Sequence, residues 1–381
     1  MVSSLDDCCQ RRSRGPPRGR AQISLRAPRV GITYTLLHAL STRDGGDLID
    51  LGSVTVAGAG LARPECVLAH ASGRVFASDW TAGGGVAVIE PDGRTWKVLA
   101  KDPPEPLRPN GIALLPGGAF LLAHLGAETG GVYELRPDGT VLPRLLAIDG
   151  TPLPPTNFVL TDRRGRIWVT VSTRQRPRAL GYRADVADGF IALIDGAGAR
   201  IVADGIGYAN ECALDAAGDR LFVNETFARR LTAFDVDGQG RLSGRREVAR
   251  FGAGTYPDGL CLDASGDLWI TSIVSNRVIR VGAGGRQETV LQDADPAHVD
   301  WCEAAFRDGK LGRPHLDKAA GSRLRNVSSL AFGGSDLRTA YLGCLLGDAI
   351  ALFSAPVAGM PPAHWDHDIS ALLGRGPSAR P

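Results

Sequence analysis

One pattern recurs along this chain and restricts its fold more than any other feature. Five stretches open on a polar residue, enter an apolar run, turn at a glycine eight residues on, and leave along a second apolar run. The openings are Arg63-Pro-Glu65-Cys-Val-Leu, Arg108-Pro-Asn110-Gly-Ile-Ala, Pro155-Thr-Asn157-Phe-Val-Leu, Tyr208-Ala-Asn210-Glu-Cys-Ala and Tyr256-Pro-Asp258-Gly-Leu-Cys. The turns carry Gly73, Gly118, Gly165, Gly218 and Gly266. Paired apolar runs joined by a glycine turn read as β-hairpins. The Pro-Asn-Gly and Pro-Asp-Gly tripeptides are themselves read as turns, since Pro and Gly supply turn dihedrals. The openings step by 45, 47, 53 and 48 residues (65 to 110, 110 to 157, 157 to 210, 210 to 258).

A second hairpin follows in each unit, turning at Asp92-Gly93, Asp138-Gly139, Asp195-Gly196, around Asp237-Gly238 and near Gly284-Gly285. Two hairpins per unit make a four-stranded antiparallel blade. A worn sixth unit runs from Asn326-Val-Ser328 through Gly333-Gly334 to Phe353, with about 20 additional residues between Asp295 and Asn326. That insert carries His298, Trp301, Cys302, Glu303, His315 and Lys318, and reads as a short helix or a lid. Units of this length predict an all-β, six-bladed β-propeller, which handles its edge strands by radial repetition. The sixth unit lacks an outer strand, and Leu51–Ala57 is expected to supply it and clasp the ring.

The expected organisation is a disordered basic tail or over-long start over 1–30, a single propeller over 31–365 with its insert at about 295–326, and a C-terminal tail over 366–381. Ile32–Leu40 is apolar enough for a strand or a helical turn. A net charge of +2 offers nucleic acid or a membrane surface no electrostatic footing. No apolar run reaches the 18 or so residues that cross a bilayer. The seven cysteines are odd in number, and Cys66, Cys212 and Cys261 fall in strand patterns. That usage points to a reducing, cytoplasmic setting rather than a disulfide framework.

In a propeller the innermost strands begin at the mouth of the central channel, so Glu65, Asn110, Asn157, Asn210, Asp258 and Ser328 are expected to meet there. Acids and amides without imidazole or thiolate suit Ca²⁺, Mg²⁺ or Mn²⁺. Two carboxylates facing each other would otherwise repel. His124 reads either as a channel-rim group or as a satisfied core histidine. The chain contains no Gly-x-Ser-x-Gly elbow, His-Glu-x-x-His or P-loop.

These openings on six units resemble the senescence marker protein/gluconolactonase (regucalcin-like) family over about residues 50–355. The run Pro257-Asp258-Gly259-Leu-Cys-Leu-Asp263…Gly266-Asp-Leu-Trp269 is the most specific fragment. The resemblance implies a divalent metal, calcium first with magnesium, manganese or zinc as alternatives, held by Glu65, Asn210 and Asp258. It implies substrate contact at Asn157, with Asn110 beside it, and hydrolysis of a lactone with Asp258 as base. Two departures stand out: Pro155 where sugar-lactone members carry Arg, and Glu211 after Asn210 where Gly is common. The loop between Ser172 and Gly189 is rich in arginine, and Arg174 and Arg176 are expected to bind a substrate bearing an acid group. Two other readings are a non-catalytic propeller with a structural metal and a strictosidine-synthase-like or organophosphatase-like relative.

Overall fold

The computed structural model describes residues 48–374. The basic tail, Ile32–Leu40, Cys8, Cys9 and residues 375–381 lie outside the described residues. Six four-stranded antiparallel sheets account for most of the remainder, each strand pairing with its sequence neighbour. The inner strands are Val67–Ala69, Pro109–Leu114, Thr156–Thr161, Ala209–Leu214, Tyr256–Leu262 and Val327–Gly333. They pack side by side in that order, and the sixth returns to the first. Ser328 Oγ donates to the Glu65 carbonyl at 2.8 Å across that seam. The result is the six-bladed β-propeller the repeat predicts.

The ring closes as expected. Thr55–Ala57 pairs antiparallel with Ile350–Ser354 and becomes the outer strand of the sixth blade. The strand is shorter than anticipated, because Leu51–Ser53 forms a 3-10 turn capped by the Asp50 carboxylate. An additional two-stranded hairpin, Ala147–Ile148 with Thr151–Pro152, was not foreseen.

The blades pack face to face through aromatic and branched side chains. Phe76 of the first blade meets Phe120 of the second edge-on at 5.2 Å, and Trp269 meets Phe332 of the sixth at 5.1 Å. An Asp at two hairpin turns locks its own tryptophan. Asp162 accepts the Trp168 indole N–H and Asp263 that of Trp269, each at 3.0 Å, while both also collect backbone N–H groups of their turns.

The Pro-Asp-Gly and Pro-Asn-Gly openings are not turns, which corrects the sequence reading. Both lie within inner strands, and the pairing register slips there, between Pro109 and Ile112 and between Pro257 and Leu260. The same slip recurs in the third, fourth and sixth blades. The glycine is required by a neighbouring blade: a Cβ on Gly111 would lie 2.6 Å from the Phe158 Cα, and one on Gly259 2.5 Å from the Ser329 Cα. A β-bulge re-aims the side chain at the slip. Here that side chain is the opening acid or amide.

The insert folds as two helices, α1 (Pro296–Arg307) and α2 (Arg313–Leu316). Asp295 caps α1, and Pro296 sits at its first helical position, where a missing N–H costs nothing. Glu303 ties α1 to the fifth blade by accepting from Gly254 N at 2.8 Å, Tyr256 OH at 2.8 Å and Arg229 Nη2 at 2.5 Å. The C-terminal segment is anchored beyond residue 366, for Ile369 and Leu372 are buried in the core of the early blades. No helix among the described residues is long and apolar enough to cross a membrane. Five described cysteines are unpaired; Cys212 and Cys261 lie in strands and Cys66 just before one.

Burial pushes the Asp263 carboxyl up, but hydrogen bonds from Ser265 and Trp269 and the Arg280 charge outweigh it and hold the group below its usual range. Its contribution is therefore complete above the unfolded value of roughly 3.9 and is lost as pH falls through the lower folded value. Asp263→Asn turns an amide donor toward the Trp269 N–H and is expected to cost about 1–3 kcal/mol at pH 7. Urea unfolding checks this: a lower midpoint at unchanged slope is expected, and the deficit should shrink toward pH 2.

Candidate active site

Five register slips and the Arg63-Pro-Glu65 corner bring the blade openings together at one end of the inner strands. A cavity of about 30 Å³ there is lined by Glu65, Asn157, Asn210 and Asp258 as its floor. All four are less than a tenth exposed. The three residues expected to share an ion thus face one space. Asn110 lies beside it rather than in its lining. Its Nδ2 donates to the Asn157 carbonyl at 3.1 Å, joining the second and third openings.

The oxygens of this floor are short of donors. Among the described residues, Asn157 Oδ1 and Glu65 Oε2 of the floor, and Asn110 Oδ1 beside it, are buried without a hydrogen-bond partner. Arg63 Nη2 stands 2.8 Å from that Glu65 oxygen as an ion pair, though not in hydrogen-bond alignment. Asn210 Nδ2 donates to Thr226 Oγ1 at 3.0 Å, which turns its carbonyl end to the other side of the amide. Burial, then Glu65, then Glu211 push the Asp258 carboxyl well above its ordinary range, against smaller opposing effects of Arg63 and Arg178.

Unsatisfied acceptors and crowded carboxylates are the surroundings that a divalent cation relieves. The donor set of two carboxylates and carboxamides therefore fits a hard cation. Among the described residues no three His, Cys, Asp or Glu side chains cluster as a metal site. An ion here would draw on oxygens beyond the two carboxylates, and the Asn210 amide is the one facing the same space.

The roof comes from outside the blade openings. Arg178 and Tyr182 belong to the third-blade loop, and Arg313 and Leu316 to α2, so the insert does cover the mouth. Tyr182 stacks on Phe227 at 4.8 Å, which in turn meets Tyr208 and Phe306. Arg174 does not reach the cavity: its guanidinium forms a two-point pair with Asp204 at 2.8 and 2.9 Å and lies over the Phe190 ring. Arg176 is exposed and also outside the lining. The local carboxylate claims the first, and the Arg176-Pro177 corner leaves the second on the surface. His124 is a core histidine: its Nδ1 accepts from Arg108 N at 3.0 Å and its ring packs edge-on against Tyr133.

Glu211 points away from this cavity, as strand alternation requires. Its Oε2 accepts from Leu260 N at 2.9 Å, and burial pushes the carboxyl up to about 8. It borders a second, mostly apolar cavity of about 210 Å³ at the opposite ends of the inner strands, covered by Met360–His364. The larger space lacks the converging acceptors, so the smaller one is the candidate site.

Arg63 and Arg313 were not singled out in the sequence, and within the arginine-rich loop it is Arg178 and Tyr182, not Arg174 and Arg176, that line the cavity. Arg63 was signalled by its place two residues before Glu65. Arg313 had no signal, since helix α2 comes to the mouth only through tertiary packing.

Comparison with known proteins finds relatives of part of the sequence and of the whole fold. Residues 125–295 match the family model described as the SMP-30/Gluconolactonase/LRE-like region. The match is confined to that stretch. It contains Asn157, Asn210 and Asp258. Regucalcin of Danio rerio is 30% identical over 144 residues, which cover 35% of this chain and 38% of that protein's length. A gluconolactonase from Xanthomonas campestris superposes with a TM-score of 0.57 at 19% identity, covering 78% of this chain and 88% of its own. A calcium-binding regucalcin from Agrobacterium tumefaciens gives 0.57 at 14% identity, covering 83% and 99%. At these identities the two structures speak for the shared fold.

Removing one of the facing carboxylates should relieve repulsion in metal-free protein. Asp258→Asn is expected to raise Tm in chelator by roughly 2–4 °C, the shift given by about 1 kcal/mol in a large domain. Differential scanning calorimetry checks it, and a lower Tm would contradict the charge-crowding account.

Proposed function

We propose that this protein is a divalent-metal-dependent hydrolase that opens a lactone. The observation carrying this reading is the convergence of Glu65, Asn210 and Asp258, all buried, on one small cavity at the propeller mouth where Glu65 Oε2 and Asn157 Oδ1 are short of hydrogen-bond donors. The SMP-30/gluconolactonase-like match supports the reaction class. The calcium-binding description of the Agrobacterium regucalcin supports calcium as first choice, with magnesium, manganese or zinc as alternatives.

Glu65, Asn210 and Asp258 would hold the ion. When bound, it supplies Lewis-acid polarisation of an ester carbonyl and offsets negative charge on its oxygen. Asp258 accepts a proton from the attacking water and returns it to the ring oxygen as the acyl C–O bond breaks. One water is thus added across that bond, giving a hydroxy acid. Asn157 lends its free carbonyl oxygen to position a substrate hydroxyl. The packed roof of Tyr182, Leu316 and Leu345 keeps bulk water from the floor. At about 30 Å³ the space holds little more than a water or two. Roof segments must therefore part for a ring to enter.

A panel of γ- and δ-lactones assayed with chelator and with each added metal tests the reading. Turnover is expected to fall at least about 100-fold on chelation and in Asp258→Asn, the usual weight of a general base. Calcium should raise the Tm of the wild type but not of that variant. A metal-induced Tm rise without turnover would make this a non-catalytic binding propeller, and preference for phosphotriesters would move it to the organophosphatase-like class.

A further inference from the structure

We infer that Arg178 and Arg313 form an anion clamp over the floor carboxylates, and that the lactone taken here carries a carboxylate of its own. The inference rests on the hydrolase reading for the word lactone, but the clamp itself stands on separate observations.

The first is pairing. In the third-blade loop, Arg174 is tied to Asp204 and Arg183 to Asp185, at 2.8 and 2.6 Å. Arg178 lies between them in sequence, is half-buried, and has no carboxylate partner within ion-pair distance among the described residues. Its Nε and Nη2 both donate to the neutral hydroxyl of Tyr208, at 2.9 and 2.6 Å. A guanidinium held at a cavity wall by a phenol has only the more distant floor carboxylates Glu65 and Asp258 to offset its charge, which is costly away from water. The Tyr208 bond also fixes its direction. Arginine held in this way is suited to taking a planar carboxylate in two-point fashion.

The second is the local charge. Arg63, Arg178 and Arg313 all line the cavity, against only Glu65 and Asp258 from the floor. Arg313 is paired with Asp317 on its outer side. Arg63 is taken up by Glu65. A divalent cation on the floor would leave a surplus of positive charge in a space of about 30 Å³, and a ligand anion removes it. The third is origin: Arg178 and Arg313 come from the two segments added to the blade framework, the long third-blade loop and the insert. Loops over a rigid scaffold are where selectivity is set.

The test compares 5-oxotetrahydrofuran-2-carboxylate with its primary carboxamide, an uncharged lactone of the same shape. Wild-type, Arg178→Gln, Arg178→Lys and Arg313→Gln full-length proteins are assayed with calcium. Binding of tetrahydrofuran-2-carboxylate, which has no ester to cleave, is measured by calorimetry. Either Gln substitution is expected to raise KM for the acid at least about tenfold, the weight of a charged hydrogen bond. KM for the amide and kcat for both should stay within a few-fold, and Arg178→Lys should restore part of the loss. Arg174→Gln, the same charge change outside the cavity, should leave the acid-to-amide ratio where it is. Equal KM for acid and amide in the wild type would overturn the clamp while leaving the hydrolase reading intact. An equal fall in kcat on both would also overturn it, assigning the arginines to charge at the reacting ester instead. Arginine-dependent binding of tetrahydrofuran-2-carboxylate without turnover of either lactone would support the clamp and remove the hydrolase.

Discussion

Burial of Glu65 and Asp258 in one enclosed space is the constraint around which the rest is arranged. Neither carboxylate is more than a tenth exposed. Glu65 raises the affinity of Asp258 for a proton, and Glu211 on the far side of the strand adds to that effect. A buried like-charge pair persists only where surrounding structure determines its position. That structure is the closed ring. Each opening residue is held by its own hairpin and by the next blade, through contacts such as Asn110 to the Asn157 carbonyl and Ser328 to the Glu65 carbonyl.

The device that turns the acids inward is local. Inner strands slip register at their first residues, and the extra residue in each slip re-aims a side chain. At Gly111 and Gly259 adjacent blades come so close that no Cβ fits, which is what allows the openings to share a rim. Arg63 completes the arrangement by placing a positive charge against Glu65. A cation on the floor would compete with that guanidinium for the same oxygen. Metal affinity and the Arg63 pair are thus coupled through Glu65.

The ring and its floor were legible in the sequence because both follow from a repeat. Eight-residue spacing from opening to glycine, and steps of 45 to 53 between openings, survive whatever loops are attached. The floor residues inherit their position from that spacing. Of the roof only the two segments were legible, the third-blade loop and the insert, and not the side chains that reach the cavity. Arg174, Arg176 and Arg178 look alike in a loop sequence, and only tertiary partners separate them. Asp204 claims Arg174, the surface keeps Arg176, and Tyr208 turns Arg178 into the cavity. The Pro-Asp-Gly openings were misjudged for a related reason. Glycine there answers a clash with Ser329 of the neighbouring blade, and local turn chemistry carries no information about it.

The two halves of the site are therefore built under different rules. The floor is part of the blade framework, and changing its geometry would disturb inter-blade seams that also bury Phe76, Phe120, Trp269 and Phe332. The roof is tied to that framework by the Glu303 hub on α1, the aromatic cluster from Tyr182 to Phe306, and the bonds of Asn326 Nδ2 to the Leu316 carbonyl and Asn276 Nδ2 to the Ala319 carbonyl. Chemistry held by a rigid floor, with selection given to a replaceable roof, is what a propeller mouth permits. In this chain the replaceable part brings two arginines to a pair of buried acids.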